Sequence, residues 1–174
     1  MVSGIAGGTG ATSAFNAGVA VLDSTLAAGT GNVLVLGTGG AGDLGTNIGV
    51  AISGVTGLVT GGGATVDITG TGLGNGDDNI GVAIVDTAKV TATKAGASTL
   101  TISGQGSTDA TGESNHGVFI SGTKTSVLSA QGQINITGNG GATKAASGNL
   151  NTGVTIVGTD TSNPATVAVQ GGAL

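Results

Sequence analysis

The 174-residue sequence contains no cysteine, arginine, tryptophan or tyrosine, and only one proline (Pro164), one histidine (His116) and two phenylalanines, Phe15 and Phe119. Each shortage closes a class of function. Without cysteine there are neither disulfides nor thiolate metal sites; the lack suits a protein threaded unfolded across a membrane, where early bridges would obstruct passage. Apart from the histidine, the only bases are Lys89, Lys94, Lys124 and Lys144. They are too few to neutralise a phosphate backbone, and bases would find almost no rings to stack on, so nucleic acid is excluded as a partner. No apolar run approaches the roughly 20 residues of a membrane helix, and membrane insertion of this segment is not expected. The opening MVSGIAGGTG has neither the basic n-region nor the apolar h-region of a signal peptide, so any export signal is expected outside the segment.

What the chain does have is glycine, 38 residues of it, with a hydrophobic content of 38%, charged residues at 7% and a net charge of −5. The aliphatic content is too high and the charge too low for a disordered chain. The length fits one domain spanning residues 1–174.

The organising feature is a repeat. Asn-x-Gly-Val-x-Ile/Val occurs at Asn16–Val21, Asn47–Ile52, Asn79–Ile84, Asn115–Ile120 and Asn151–Ile156, at spacings of 31, 32, 36 and 36 residues. Each copy is followed by apolar-x-apolar-x-Gly, at Val33–Gly37, Val66–Gly70, Leu100–Gly104, Ile134–Gly138 and Val167–Gly171. Between the halves lies a weaker apolar run such as Val90-Thr91-Ala92, entered through a turn at Asp23, Gly54, Asp86, Gly122 or Gly158. Period-two alternation, β-branched residues and glycine or Asx punctuation predict strands. Helices are excluded because no window holds a helical apolar stripe free of glycine.

Laid in register, the copies give inner columns of like aliphatics: Val19/Val50/Val82/Val118/Val154, Val21/Ile52/Ile84/Ile120/Ile156, Val33/Val66/Leu100/Ile134/Val167 and Val35/Ile68/Ile102/Ile136/Val169. Columns of matched shape are what strands stacked about 4.8 Å apart require. The prediction is an all-β fold, a parallel β-helix (β-solenoid) of about five coils of 31 to 36 residues with three strands each. The rival reading divides each repeat into two coils of about 17 residues, but then the second would hold almost no apolar residues in 104–115. A propeller blade would need a fourth strand and its aromatic signature. Asparagine tolerates the left-handed region and bonds its own backbone in turns. Asn16, Asn47, Asn79, Asn115 and Asn151, repeated at one corner, are therefore expected to stack as a ladder of side-chain amides, each donating to the next.

Motifs with chemical meaning are few. VLVLGTGGAG at 33–42 imitates a dinucleotide fingerprint, but 43–49 cannot start the helix that must face the pyrophosphate, so no cofactor is expected. Asp77 and Asp78, in a Gly-Asp turn at 72–78, are the weak candidates for a metal; calcium turns of nonapeptide β-helices recur on successive coils, and this one occurs once. His116, beside Glu113 and Ser114, reads as a corner residue replacing Ile48 or Ile80, because sequence neighbours on a turn seldom orient a nucleophile and base. The nine acidic residues occupy different repeat positions except Asp23 and Asp86, which are equivalent but replace Gly at a turn, so no catalytic carboxylate set is expected, and the chain is read as non-enzymatic. An ice-binding Thr face is disfavoured by Asp67, Asn135 and Ala168 at positions matching Thr101.

The pair N-x-G-V-x-[IV] and V-x-[IV]-x-G-x-G resembles the repeats of large bacterial exoproteins of the filamentous haemagglutinin-like and autotransporter-passenger type, over residues 16 to 172. That resemblance implies a right-handed β-helix rod, extracellular or at the bacterial cell surface. Such a rod acts as spacer, structural element or adhesin, its partners being a host or cell-surface ligand or flanking coils of the same chain. Because 166–174 finishes in strand-like sequence without a polar cap, either further coils or end-to-end stacking into a self-assembling filament is expected. The fold also serves polysaccharide-binding and polysaccharide-cleaving proteins, a more distant alternative. The outward positions Ala20, Ala51, Ala83, Phe119 and Thr155 are expected to form a mildly apolar stripe that either serves a contact or lies under a flanking segment.

Overall fold

The computed structural model describes residues 1–8, 15–43, 46–94, 98–141 and 150–170, and among them there are fifteen strands and no helix. The strands, numbered in chain order, fall into three five-stranded parallel sheets. The first sheet holds β1 (Val2–Ile5), β4 (Val33–Thr38), β7 (Thr65–Thr71), β10 (Ser98–Gln105) and β13 (Gly132–Asn139). The second holds β2 (Asn16–Leu22), β5 (Asn47–Ser53), β8 (Ile80–Val85), β11 (Val118–Ser121) and β14 (Val154–Val157). The third holds β3 (Thr25–Ala27), β6 (Leu58–Gly61), β9 (Lys89–Ala92), β12 (Ser126–Ser129) and β15 (Thr166–Val169). The chain visits second, third and first sheet in turn, so each repeat makes one three-strand coil of a β-solenoid rather than two shorter ones.

Every strand pair is parallel and pairs like positions. Val50, Val82, Val118 and Val154 lie in one row, Ile52, Ile84, Ile120 and Ile156 in the next, and Ile68, Ile102 and Ile136 in a row of the first sheet. The third sheet supplies a further row, Leu26, Val59, Val90, Val127 and Val167. These rows meet inside the coil as one continuous core, fully closed at Val50, Ile52, Val82, Ile84, Ile102, Val118 and Ile120. Ile136 is partly buried, while Val154 and Ile156 keep the register but are 40% and 50% exposed.

One expectation is overturned. Val167 and Val169 do not continue the first-sheet columns of Ile134 and Ile136; they pair with Val127 and Ser129 in the third sheet. The reason is the turn before them. In the other copies the corner between second and third sheet is short, but residues 158–165 form a longer one, closed by Asp160. Its carboxylate accepts from the Ser162 N–H at 2.8 Å and from Asn163 Nδ2 at 3.1 Å. That turn consumes the length that would have carried the chain on to the first sheet. At the other end the first-sheet row begins one strand earlier than the repeat, since Val2 pairs with Val35 and Gly4 with Gly37. Gly171 and Gly172, which close the fifth motif, lie outside the described residues.

The repeated glycines have a specific task. Gly37, Gly70, Gly104 and Gly138 of the first sheet point inward onto Gly49, Gly81, Gly117 and Gly153 of the second. A Cβ on any of these four first-sheet glycines would lie 1.9 to 2.0 Å from the facing carbonyl oxygen. Two columns of bare backbone thus pack directly against each other, and no side chain fits between them. The second-sheet glycines drop out of the ladder register between Asn47 and Val50, a local kink that lets the residues on either side, Asn47 and Val50, both face inward.

Candidate functional site

The most organised polar feature is the corner where the first sheet hands the chain to the second. Asn16 Nδ2 donates to Asn47 Oδ1 at 2.7 Å, Asn47 to Asn79 at 2.7 Å, Asn79 to Asn115 at 2.8 Å and Asn115 to Asn151 at 3.1 Å. All four donations run the same way along the stack. The backbone N–H of Asn79 and of Asn115 also donates to the next Oδ1, at 3.0 and 2.9 Å. Each amide reaches its own loop as well: Asn47, Asn79 and Asn115 donate to the carbonyls of Gly42, Gly76 and Gly112 at 3.0, 2.7 and 3.0 Å. Asn47, Asn79 and Asn115 are fully buried, so the ladder satisfies groups that would otherwise cost about 1 to 3 kcal/mol each. The left-handed conformation at this corner belongs not to the asparagine but to the residue before it, at Phe15, Asp78, Ser114 and Leu150, with φ between 48 and 69°. Bending the chain one residue earlier turns the amides of Asn16, Asn79, Asn115 and Asn151 inward, whereas Asn47 reaches the ladder without a left-handed residue before it.

The loops of this corner form a looser ladder outside it. Asn75 Nδ2 donates to Asp43 Oδ1 at 2.9 Å, the Thr111 N–H to the Asn75 carbonyl at 2.9 Å, and the Glu113 N–H to Asp77 Oδ1 at 2.7 Å. Asp77 therefore spends an oxygen on the neighbouring coil. Beside it Asp78 is half-buried; burial and then the Asp77 carboxylate push its pKa up, and His116 pulls it down by less. Among the described residues no three His, Asp or Glu side chains gather in a group that could hold a metal ion. The glycines of the 33–42 motif lead from β4 into loop, with no helix following among the described residues.

His116 is 5% exposed and lies flat on Phe119, with ring centroids 4.9 Å apart and planes within 6°. Its Nδ1 is 2.7 Å from Thr152 Oγ1, and Thr152 in turn meets the Thr155 hydroxyl. Burial pushes the His116 pKa below its ordinary value, and Asp78 raises it by less. The outward positions of the second sheet carry the rest of this patch. Ala51 and Ala83 stand in the row that continues to Phe119 and Thr155, and together with Ile48 and Ile80 they are buried, so the stripe is covered in its middle.

Further surfaces are open, among them a hollow of about 500 Å³ where β1 meets β4, lined by Ser3, Gly4, Ile5, Leu36 and Thr38. At the corner between second and third sheet, Asp23, Gly54, Asp86 and Gly122 stack with φ of 42, 94, 55 and 114° and line a shallow hollow of about 420 Å³. On the outer face of the first sheet, rows of Thr69, Ser103 and Thr137 and of Thr71, Gln105 and Asn139 flank a groove of about 150 Å³. This groove lies on the face weighed above for ice binding, where Asp67, Thr101 and Asn135 share a row, and the uncharged polar residue alternating with each inward aliphatic marks it. Compared with known proteins, the chain matches no family model, no curated protein and no solved structure.

Proposed function

We propose that this chain is a non-enzymatic extracellular rod, a spacer or surface adhesin segment at a bacterial cell surface, whose loops meet a host or cell-surface ligand. The observation that carries the reading is the in-register stack. The side chains that recur from coil to coil are those that hold one coil to the next: the aliphatic rows, the facing glycines and the asparagine ladder. Of the side chains capable of acid–base chemistry, Asp23 and Asp86 recur at one corner, where Gly54 and Gly122 replace them in the other coils, so no carboxylate runs through successive coils. A body built this way keeps its ends at a fixed separation and presents its variable loops along one edge, which is what a spacer or an adhesive stalk requires. The resemblance of the repeat to bacterial exoprotein arrays supports the same reading.

The test is where the chain is found. Antibody raised against it should label intact source cells, and external protease should remove that label without lysis. Recovery of the chain only from the cytosolic fraction would contradict the proposal.

A further inference from the structure

The two ends of the stack are not alike. Val19 and Val21, in the first second-sheet strand, are 8% and 7% exposed, whereas Val154 and Ile156, in the last, are 40% and 50% exposed. The strand order accounts for the difference. β2 lies between two first-sheet strands, β1 before it and β4 after, and closes against both. β14 and β15 follow β13 but have no first-sheet strand after them among the described residues. The stack is thus a lock-washer: one end leads with a lone first-sheet strand, and the other stops one first-sheet strand short.

We propose that a second copy of this chain docks head to tail, adding its β1 to the edge of β13 that no other described strand pairs and covering the aliphatics that β14 and β15 leave open. A second copy is the occupant the geometry points to because its leading strand carries the residues this edge repeats. Val2 and Gly4 already head the rows that run through Val35 and Gly37 to Ile136 and Gly138. Docked one coil further, Val2 of the second copy stands on Ile136 and Gly4 on Gly138, while its Val19 and Val21 cover Val154 and Ile156. Fifteen strands in a cycle of three let the next copy continue the sheet order without a gap. The contact joins unlike surfaces and does not close on itself, so it propagates into a filament. This goes beyond the rod reading and stands or falls separately from it, since the end faces are the same wherever the chain resides.

Absence of native cysteine makes the test clean. Ser3 and Thr137 are both exposed and outward-facing, and docking sets them side by side at about 4.8 Å, within the roughly 4.4 to 6.8 Å between Cα atoms that a disulfide spans. On mild oxidation the full 174-residue chain carrying Ser3→Cys and Thr137→Cys should give a ladder of linked dimers and higher species. The pair Ser3→Cys and Gln133→Cys, displaced about 13 Å along the strand, should not. Thr137→Cys alone should give no linked dimer. Ile156→Lys, at a position already half exposed in the single chain, should keep the circular dichroism of the unaltered chain while reducing sedimenting oligomer at least tenfold. A chain that sediments as a monomer at the highest attainable concentration, equal ladders from both cysteine pairs, or dimers from Thr137→Cys alone would overturn the proposal.

Discussion

At the scale of single residues the account turns on groups that touch backbone. Gly104→Ala puts a Cβ 1.9 Å from the Gly117 carbonyl oxygen, between two sheets with nowhere to move. Overpacking of this kind is expected to cost about 3 kcal/mol or more in urea unfolding. Gly7→Ala meets nothing within 4 Å and should stay within about 0.5 kcal/mol of the unaltered chain. Asn79→Ala removes the acceptor of Asn47 and the side-chain donor to Asn115, both fully buried, and should cost about 2 to 3 kcal/mol in the same assay. The five asparagines were legible from their spacing alone. Their backbone conformation was not, because the preference of asparagine for the left-handed region is a local tendency. Here the inward pull of the ladder assigned that bend to Phe15, Asp78, Ser114 and Leu150 instead.

His116 carries the pH dependence at this scale. Its folded-state pKa is lowered by burial, so the unfolded chain takes up the proton first as pH falls through about 6.5, and stability drops until the folded ring titrates too. Asp78 acts in the opposite sense. Its folded-state pKa is raised, so the folded chain binds that proton first, and stability recovers as pH approaches about 3.9 from above. The melting temperature should therefore fall between pH 7.5 and 5.5, and His116→Gln should flatten that fall; an unchanged slope in the variant would remove His116 from the explanation. The contact with Phe119 was hidden in the sequence because His116 stands three residues before it, just ahead of β11, where strict alternation would put the two on opposite faces. The kink at the intervening glycine brings them to one.

At the scale of elements, corners matter more than strands. The corner from second to third sheet takes positive φ at Asp23, Gly54, Asp86 and Gly122, which the alternation of Asp and Gly at those positions already indicated. Asp86→Gly should be nearly neutral, losing one exposed hydrogen bond from Ser53 Oγ. Asp86→Val forces a β-branched side chain to φ near 55° and should cost about 1 to 2 kcal/mol by thermal unfolding. The first two strands of each coil differ in how plainly they read. The second-sheet motif carries four specified positions over six residues and was clear, while the third-sheet strands are three or four residues long and were visible only as weak apolar runs. That weakness explains the misplaced fifth copy. Val-Ala-Val-Gln has the alternation of a first-sheet strand, and nothing in it reveals that the Asp160 turn has already used up the intervening chain.

At the scale of the molecule, stability lies between coils rather than within them, because each coil meets only its neighbours. The central strands β5, β7, β8 and β10 have a coil on both sides and the most fully closed side chains, whereas β14 and β15 have one neighbour among the described strands and open faces. Amide hydrogen exchange should accordingly be slowest in the centre and grade outward to its fastest in β14 and β15. The class of fold was legible because one pattern, repeated at nearly constant spacing, forces like residues into rows. The phase of the stack was not, since β1 keeps only Val2 and Gly4 of its motif.

Everything above depends on parallel, in-register stacking of successive copies. Methyl-labelled nuclear magnetic resonance tests it most directly. The account predicts strong cross-peaks from Val82 to Val118 and from Ile102 to Ile136, with each row continuing to Val50 and Ile68. Cross-peaks that pair the start of one copy with the end of the next, as antiparallel strands require, would contradict it.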